Sequence, residues 1–159
     1  MKVQVINKSP NPLPVYAKKG DAGMDLRADF SRGIDENFLY GAAWDDTAKC
    51  LRIFPGGRAL IPTGLHVSFP IGYELQVRSR SGQALKQGLF VLNSPGTIDP
   101  NYKNEIGVIL MNLGDDVEIY QGDRIAQAVL NKTEKIDWVE VDTLEGEDRG
   151  GGFGSTNVK

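Results

Sequence analysis

Three short stretches hold most of the chain's capacity for chemistry. The first, "GDAGMDL" (20–26), places two acids around a small-residue turn that leads into a strand. Read plainly it is a turn with solvated acids; read chemically, Asp25 holds a metal, directly or through water. In "VRSRSGQA" (77–84) a strand gives way to Arg-Ser-Gly just before a short helix. Main-chain N–H groups at a helix start favour anions, and Arg80 with Ser81 adds a forked cation and a donor. A strand end with a helix cap accounts for the same residues. "NSPGTIDPNY" (93–102) surrounds one aspartate with turn residues and ends on an aromatic. Asp99 suits a general base acting on water, and Tyr102 suits packing against a sugar. A β-turn explains Pro95-Gly96 but requires neither Asp99 nor Tyr102. Carboxylates, arginines, glycines and hydroxyls are the parts of a phosphoester chemistry that works through Mg2+. That ion takes oxygen ligands, often one or two protein carboxylates beside phosphate oxygens and water.

Competing chemistries lack their parts. His66 is the sole histidine, in the strand-like "GLHVSF", which excludes His-pair metal sites and weakens any Ser-His scheme. Cys50 is the only cysteine, so no intrachain disulfide forms, and no activating partner stands near it in sequence. Walker A, HExxH and EF-hand patterns are missing. The tail "EDRGGGFGSTN" (147–157) has four glycines, one aromatic, one arginine and two hydroxyls. It suits neither a helix nor a central strand. It reads as a frayed terminus or as a lid, in which Phe153 covers something flat and Arg149, Ser155 and Thr156 hold a phosphate.

The elements that must position these groups are short. Apolar residues alternate in "KVQVI", "LHVSF", "YELQVRS" and "DVEIY". Turn signals such as "SPNPLP", "PGG", "PIG", "NSPG" and "LGDD" separate them, which predicts an all-β barrel, sandwich or jelly roll. The one helical candidate is "SGQALKQG" (81–88), whose Ser and Gly flanks suit caps. Residues 31–50 fit the strand rhythm poorly and read as an irregular loop or an inserted hairpin. At 159 residues the chain is expected to be one β domain over 1–144 with a flexible arm over 145–159. Its net charge of -3 gives no bulk attraction to nucleic acid or an anionic membrane, and no direct nucleic-acid binding is expected. No run is apolar enough for a signal peptide or a membrane span, and no Arg/Ser-rich leader is present. The expected location is therefore the cytoplasm.

The three stretches, in this order and followed by "GDRIAQ" (122–127) and "RGGGFGST" (149–156), resemble the five motifs of the trimeric dUTP pyrophosphatases (dUTPases). The resemblance spans nearly the whole chain. It implies a distorted jelly-roll β-barrel with one short helix and a flexible C-terminal arm. It also implies a homotrimer whose active sites are shared between subunits. The reaction it implies is hydrolysis of dUTP to dUMP and pyrophosphate, which limits uracil in DNA and supplies dUMP for thymidylate synthesis. Carried over by position, Asp25 supports Mg2+ on the triphosphate through water. Arg80, Ser81 and Gly82 bind phosphates. Asn93, with backbone around Gly96, Thr97 and Ile98, reads the uracil edge. Asp99 activates the water that attacks the α-phosphate, and Tyr102 packs on the deoxyribose and crowds out a 2′-hydroxyl. Arg124 is structural or near the phosphates, and Gln127 touches a phosphate. Arg149 with Ser155 and Thr156 holds the γ-phosphate, while Phe153 and Gly154 close over the base.

Some positions depart from the family pattern. Asn101 replaces a common acid, and Asn104 a common glycine whose left-handed conformation asparagine can adopt. Ser79 stands where proline is common, and 31–50 is longer than the family minimum. Two rivals remain at this point. One is a dCTP deaminase of the same fold, with Glu105 the nearest candidate for its proton shuttle. The other is a nucleotide-sensing binding protein that uses 31–50 as its contact.

Overall fold

A computed structural model describes residues 1–148, 150 and 151. Among these residues eleven strands carry the fold: β1 (Gln4–Asn7), β2 (Gly23–Arg27), β3 (Leu39–Asp45), β4 (Cys50–Pro62), β5 (Leu65–Ser68), β6 (Tyr73–Arg78), β7 (Leu89–Val91), β8 (Gly96–Ile98), β9 (Gly107–Asn112), β10 (Val117–Tyr120) and β11 (Arg124–Lys132). Among the described residues a single α-helix, α1 (Ser81–Gln87), lies between β6 and β7. One antiparallel sheet runs β2-β11-β6-β8 and a second β10-β4-β9-β7, with β3 added along β4; β1 pairs β5 as a separate ribbon. This is the all-β architecture that the alternating segments predict, of the jelly-roll-like kind that the resemblance implies.

The alternation sorts each strand between core and solvent. On β9, Val108, Leu110 and Asn112 face inward while Gly107, Ile109 and Met111 face out. Leu26, Val77 and Ala128 from one sheet meet Leu51, Ile53, Ile61 and Leu110 from the other in one core. Each fully buried Leu or Ile there contributes about 1.5–3 kcal/mol.

Residues 31–50 resolve into a one-turn 3-10 helix (Glu36–Phe38) and β3, which forms a hairpin with the first part of β4. Trp44 seals this hairpin onto the body edge-on against Phe30, with ring centroids 5.2 Å apart. Two local expectations need correction. Ser81 is the first residue of α1 rather than its cap; Arg80 holds the N-cap position and makes no side-chain capping bond. Gly88 does cap the other end, with φ of 66°. Asn104 does not use the left-handed conformation, because Lys49, at the β3–β4 turn, is the sole non-glycine with positive φ among the described residues.

Candidate active site

The four-stranded sheet gathers the first group of polar residues. β11 lies between β2 and β6, and its register sets Gln127 beside Asp25 on one side and Arg78 on the other. Directly opposed residues share a face, so all three point away from the core. β6 then turns into α1, and Arg80 reaches back over the sheet. Its Nε donates to Asp25 Oδ1 at 3.0 Å, and its Nη1 donates to the Arg124 carbonyl at 3.2 Å. Arg124 Nη1 donates to Asp25 Oδ2 at 3.3 Å, and Gln127 Nε2 approaches Oδ1 at 3.5 Å. One carboxylate is thus held by two guanidiniums from different elements. The cluster keeps a net positive charge, with the Arg80 and Asp25 side chains only 23% and 25% exposed. A cavity of about 250 Å3 opens beside it, lined by Arg80, Gln83 and Arg124 on one side and by the carboxylates of Glu118 and Asp123 as well. Gly82 faces free space, since a Cβ built there would meet nothing within 4 Å. Such a cradle suits a polyanion.

A second group lies on the β7–β8 hairpin and the loop after it. Asn93 is exposed in the turn, and its amide sits over Gly96, where an added Cβ would come within 3.3 Å of Nδ2. Gly96, Thr97 and Ile98 form β8 against β6. Asp99 follows, exposed, and its carbonyl accepts the Tyr102 N–H at 3.1 Å. The Tyr102 ring is 39% exposed, with its hydroxyl donating to the Glu105 carbonyl at 2.9 Å.

Within one copy the two groups do not meet. Asp25 shares a row with Gln127 and Arg78, whereas Asp99 follows Ile98, which is paired with Leu75. Asp99 is therefore three strands across and four residues along from Asp25. At about 4.8 Å per strand and 3.4 Å per residue, the carboxylates are on the order of 20 Å apart. The two groups stand apart in this chain. The remaining expected residues, Arg149, Phe153, Gly154, Ser155 and Thr156, lie outside the described residues.

A profile of the dUTPase family matches residues 46–157. The chain belongs to the dUTPase family. It is 46% identical over 158 residues to the deoxyuridine 5'-triphosphate nucleotidohydrolase of Finegoldia magna, covering 98% of this chain and 99% of the relative. The enzyme of the same name from Fusobacterium nucleatum is 44% identical, covering 98% of this chain and 97% of the relative. The structure of the dUTPase of Staphylococcus bacteriophage 80alpha with dUpNHpp is similar at a TM-score of 0.74 and 25% identity, covering 99% of each chain. That of a variant dUTPase from phage phi11 of S. aureus, described with a structural Mg(II) ion, is similar at 0.72 and 22%, covering 92% of this chain and 100% of the other.

One departure from the dUTPase motifs, Ser79, finds its place in the geometry, as do two residues whose roles the sequence left open. The Ser79 hydroxyl oxygen accepts the Val91 N–H at 2.9 Å, tying the end of β6 to β7. Glu105 is a structural anchor: its Oε1 accepts the Gly64 N–H at 2.7 Å and Arg32 Nη2 at 2.8 Å. Arg124, which the sequence left between two roles, is fixed on Asp25. Asp29 and Gln121 escaped sequence reasoning because neither sits in a motif. Asp29 is 1% exposed. Burial pushes its carboxyl up, but hydrogen bonds from Ser31, Arg32 and Gln121 outweigh this and hold it below the usual carboxylate range.

Proposed function

We propose that this dUTPase-family chain hydrolyses dUTP to dUMP and pyrophosphate in the cytoplasm, as a homotrimer that completes each site from more than one copy. The observation that carries the reading is the convergence of Arg80, Arg124 and Gln127 on Asp25. It supplies a cationic, donor-rich cradle for a triphosphate at one edge of the sheet. The distance to the Asp99 half-site supports the sharing. Two loci roughly 20 Å apart serve one nucleotide only if a neighbouring copy brings its hairpin to the cradle.

The donor set fits Mg2+ carried by the nucleotide better than a protein cage. Among the described residues no cluster of three His, Cys, Asp or Glu side chains exists, and both oxygens of Asp25 already face arginines. Asp25 would hold the ion through water, and bound Mg2+ would supply charge neutralisation on the triphosphate. Arg80, with Ser81 and Gly82, binds phosphate oxygens, and Gln127 adds a donor. Asn93 and the backbone of Gly96, Thr97 and Ile98 read the uracil edge, where cytosine would leave polar groups unpaired. Asp99 orients water in line with the α-phosphate and takes its proton. The new bond joins the water oxygen to the α-phosphorus as the bond to the bridging oxygen breaks and pyrophosphate leaves. Arg149, Ser155 and Thr156 would hold the γ-phosphate, while Phe153 and Gly154 cover the base and keep out bulk water. The β domain over 1–144 and the arm over 145–159 would thus divide the work.

The test is product analysis with dUTP, dCTP, dTTP and UTP at equal concentration, pyrophosphate and ammonia being assayed together. Pyrophosphate from dUTP alone is the expected result; ammonia from dCTP would replace the reading with a deaminase. Asp99→Asn is expected to lower turnover by about 10²–10⁴-fold. Nucleotide binding should persist in that variant, and unchanged turnover would remove Asp99 from the mechanism.

A further inference from the structure

The loop between β8 and β9 carries both Asp99 and Tyr102, and two independent fastenings hold it. On one side Lys103 Nζ donates to Ser68 Oγ at 2.7 Å, and His66 Nδ1–H donates to the Lys103 carbonyl at 3.1 Å. On the other side the Tyr102 hydroxyl rests on the Glu105 carbonyl at 2.9 Å. Glu105 is set in turn by its own carboxylate, gripped by the Gly64 N–H at 2.7 Å and Arg32 Nη2 at 2.8 Å. The Gly64 side is closely packed. Gly64 has φ of 72°, and a Cβ there would stand 2.5 Å from Ser9 Cβ and 2.8 Å from Asp29 Oδ2. The same Arg32 guanidinium also bonds Asp29 Oδ2, at 3.3 Å from Nη2 and 3.4 Å from Nε. Asp29 is tied down further by the Ser31 hydroxyl at 2.6 Å. A continuous bracket thus runs from buried Asp29 through Arg32 and Glu105 to the Tyr102 hydroxyl.

We propose that Arg32 and Glu105 are positioning residues for sugar selection, holding Tyr102 stiffly enough to reject a 2′-hydroxyl. This rests on the dUTP reading, in which Tyr102 packs on the deoxyribose. A steric wall discriminates only as well as its backing resists displacement, because a ring that yields by a fraction of an ångström admits one more oxygen. The Arg32–Glu105 pair is itself partly exposed, at 40% and 24%, so its own contribution to stability is small. Its effect lies in where it puts the Glu105 carbonyl. The Lys103 and His66 fastening survives its loss, so the loop stays folded and Asp99 keeps its place while Tyr102 gains play.

The experiment measures kcat and KM for dUTP and UTP in the full-length wild type and in Arg32→Ala, Arg32→Lys, Glu105→Gln and Tyr102→Phe, with thermal midpoints alongside. Glu105→Gln keeps an acceptor oxygen for Gly64 and Arg32 but removes the negative charge that holds the guanidinium. Tyr102→Phe removes only the hydroxyl. In Arg32→Ala, Glu105→Gln and Tyr102→Phe the ratio of kcat/KM for dUTP over UTP should fall about three- to tenfold. For Arg32→Ala and Glu105→Gln, kcat on dUTP should stay within about twofold, and Arg32→Lys should restore much of the ratio. A lowered thermal midpoint with an unmoved ratio would make the bracket purely structural and overturn the role. If Arg32→Ala does not fold, Arg32→Lys and Glu105→Gln decide. A wild type that releases no pyrophosphate from dUTP overturns the proposed activity and this role with it. An active wild type whose variants keep the ratio overturns the role alone.

Discussion

Replacing Asp29 by asparagine is the sharpest test of how the site is supported, because the change is isosteric and every contact it alters is known. Asp29 Oδ1 accepts from the Ser31 N–H at 3.1 Å, the Ser31 hydroxyl at 2.6 Å and Gln121 Nε2 at 3.4 Å. Oδ2 faces Arg32. An asparagine can keep its oxygen toward Ser31, but it then turns an NH2 group toward a guanidinium. That loses a charge-assisted bond and leaves buried donors facing each other. Removing one partner of a fully buried ion pair costs about 3–5 kcal/mol. Arg32 is 40% exposed and can turn to water, so the lower figure for a charged hydrogen bond applies, about 2–3 kcal/mol. For a chain of this length that is a fall of roughly 4–12 °C in Tm. Urea and thermal unfolding should be compared at fixed protein concentration, since the proposed trimer would make the midpoint concentration-dependent. The acid limb gives a second readout. The folded carboxyl of Asp29 is depressed, so its stabilisation is complete above the unfolded value near ~3.9 and is lost as pH falls through the folded value. The asparagine variant lacks this component, so its gap from wild type should narrow as pH falls below the unfolded value and through the depressed folded one. A loss under about 0.5 kcal/mol at neutral pH, or a gap that does not narrow in acid, would refute the reasoning.

Two further substitutions probe the site from different sides. Ser79→Ala strips the acceptor from the N–H of Val91, itself 1% exposed, and should cost about 1–3 kcal/mol in urea unfolding. Arg124→Ala frees one oxygen of Asp25 on the outer face of the sheet and should leave Tm within about 2 °C. The same variant should raise KM for dUTP about three- to tenfold in steady-state assays, and an unchanged KM would remove Arg124 from the phosphate cradle.

Much of this protein was legible in the chain because the signals are local. Period-two alternation gave β1, β5, β6 and β10, and Gly88 marked the end of α1. Turn chemistry and side-chain alternation act over a few residues, so they can be read without knowing the fold. The five motifs likewise announced their residue types and their order. The β3 hairpin was harder, because "NFLYGAAWDD" does not alternate cleanly and its pairing with β4 passes through a register shift between Tyr40 and Ala42.

Local residue patterns therefore supply the inventory: short strands, one helix, and carboxylates and arginines suited to a nucleoside triphosphate. Tertiary structure alone decided which of them touch. Arg80 and Asp25 are 55 positions apart, Arg124 and Asp25 are 99 apart, and Arg32 and Glu105 are 73 apart. No local rule predicts such pairs, since they follow from placing β11 between β2 and β6 and from the turn that presents Gly64 to Glu105. The separation of Asp25 from Asp99 has the same origin. Strand order and register are set by long-range burial of the two inner faces, and that same choice fixes which polar side chains share the outer one.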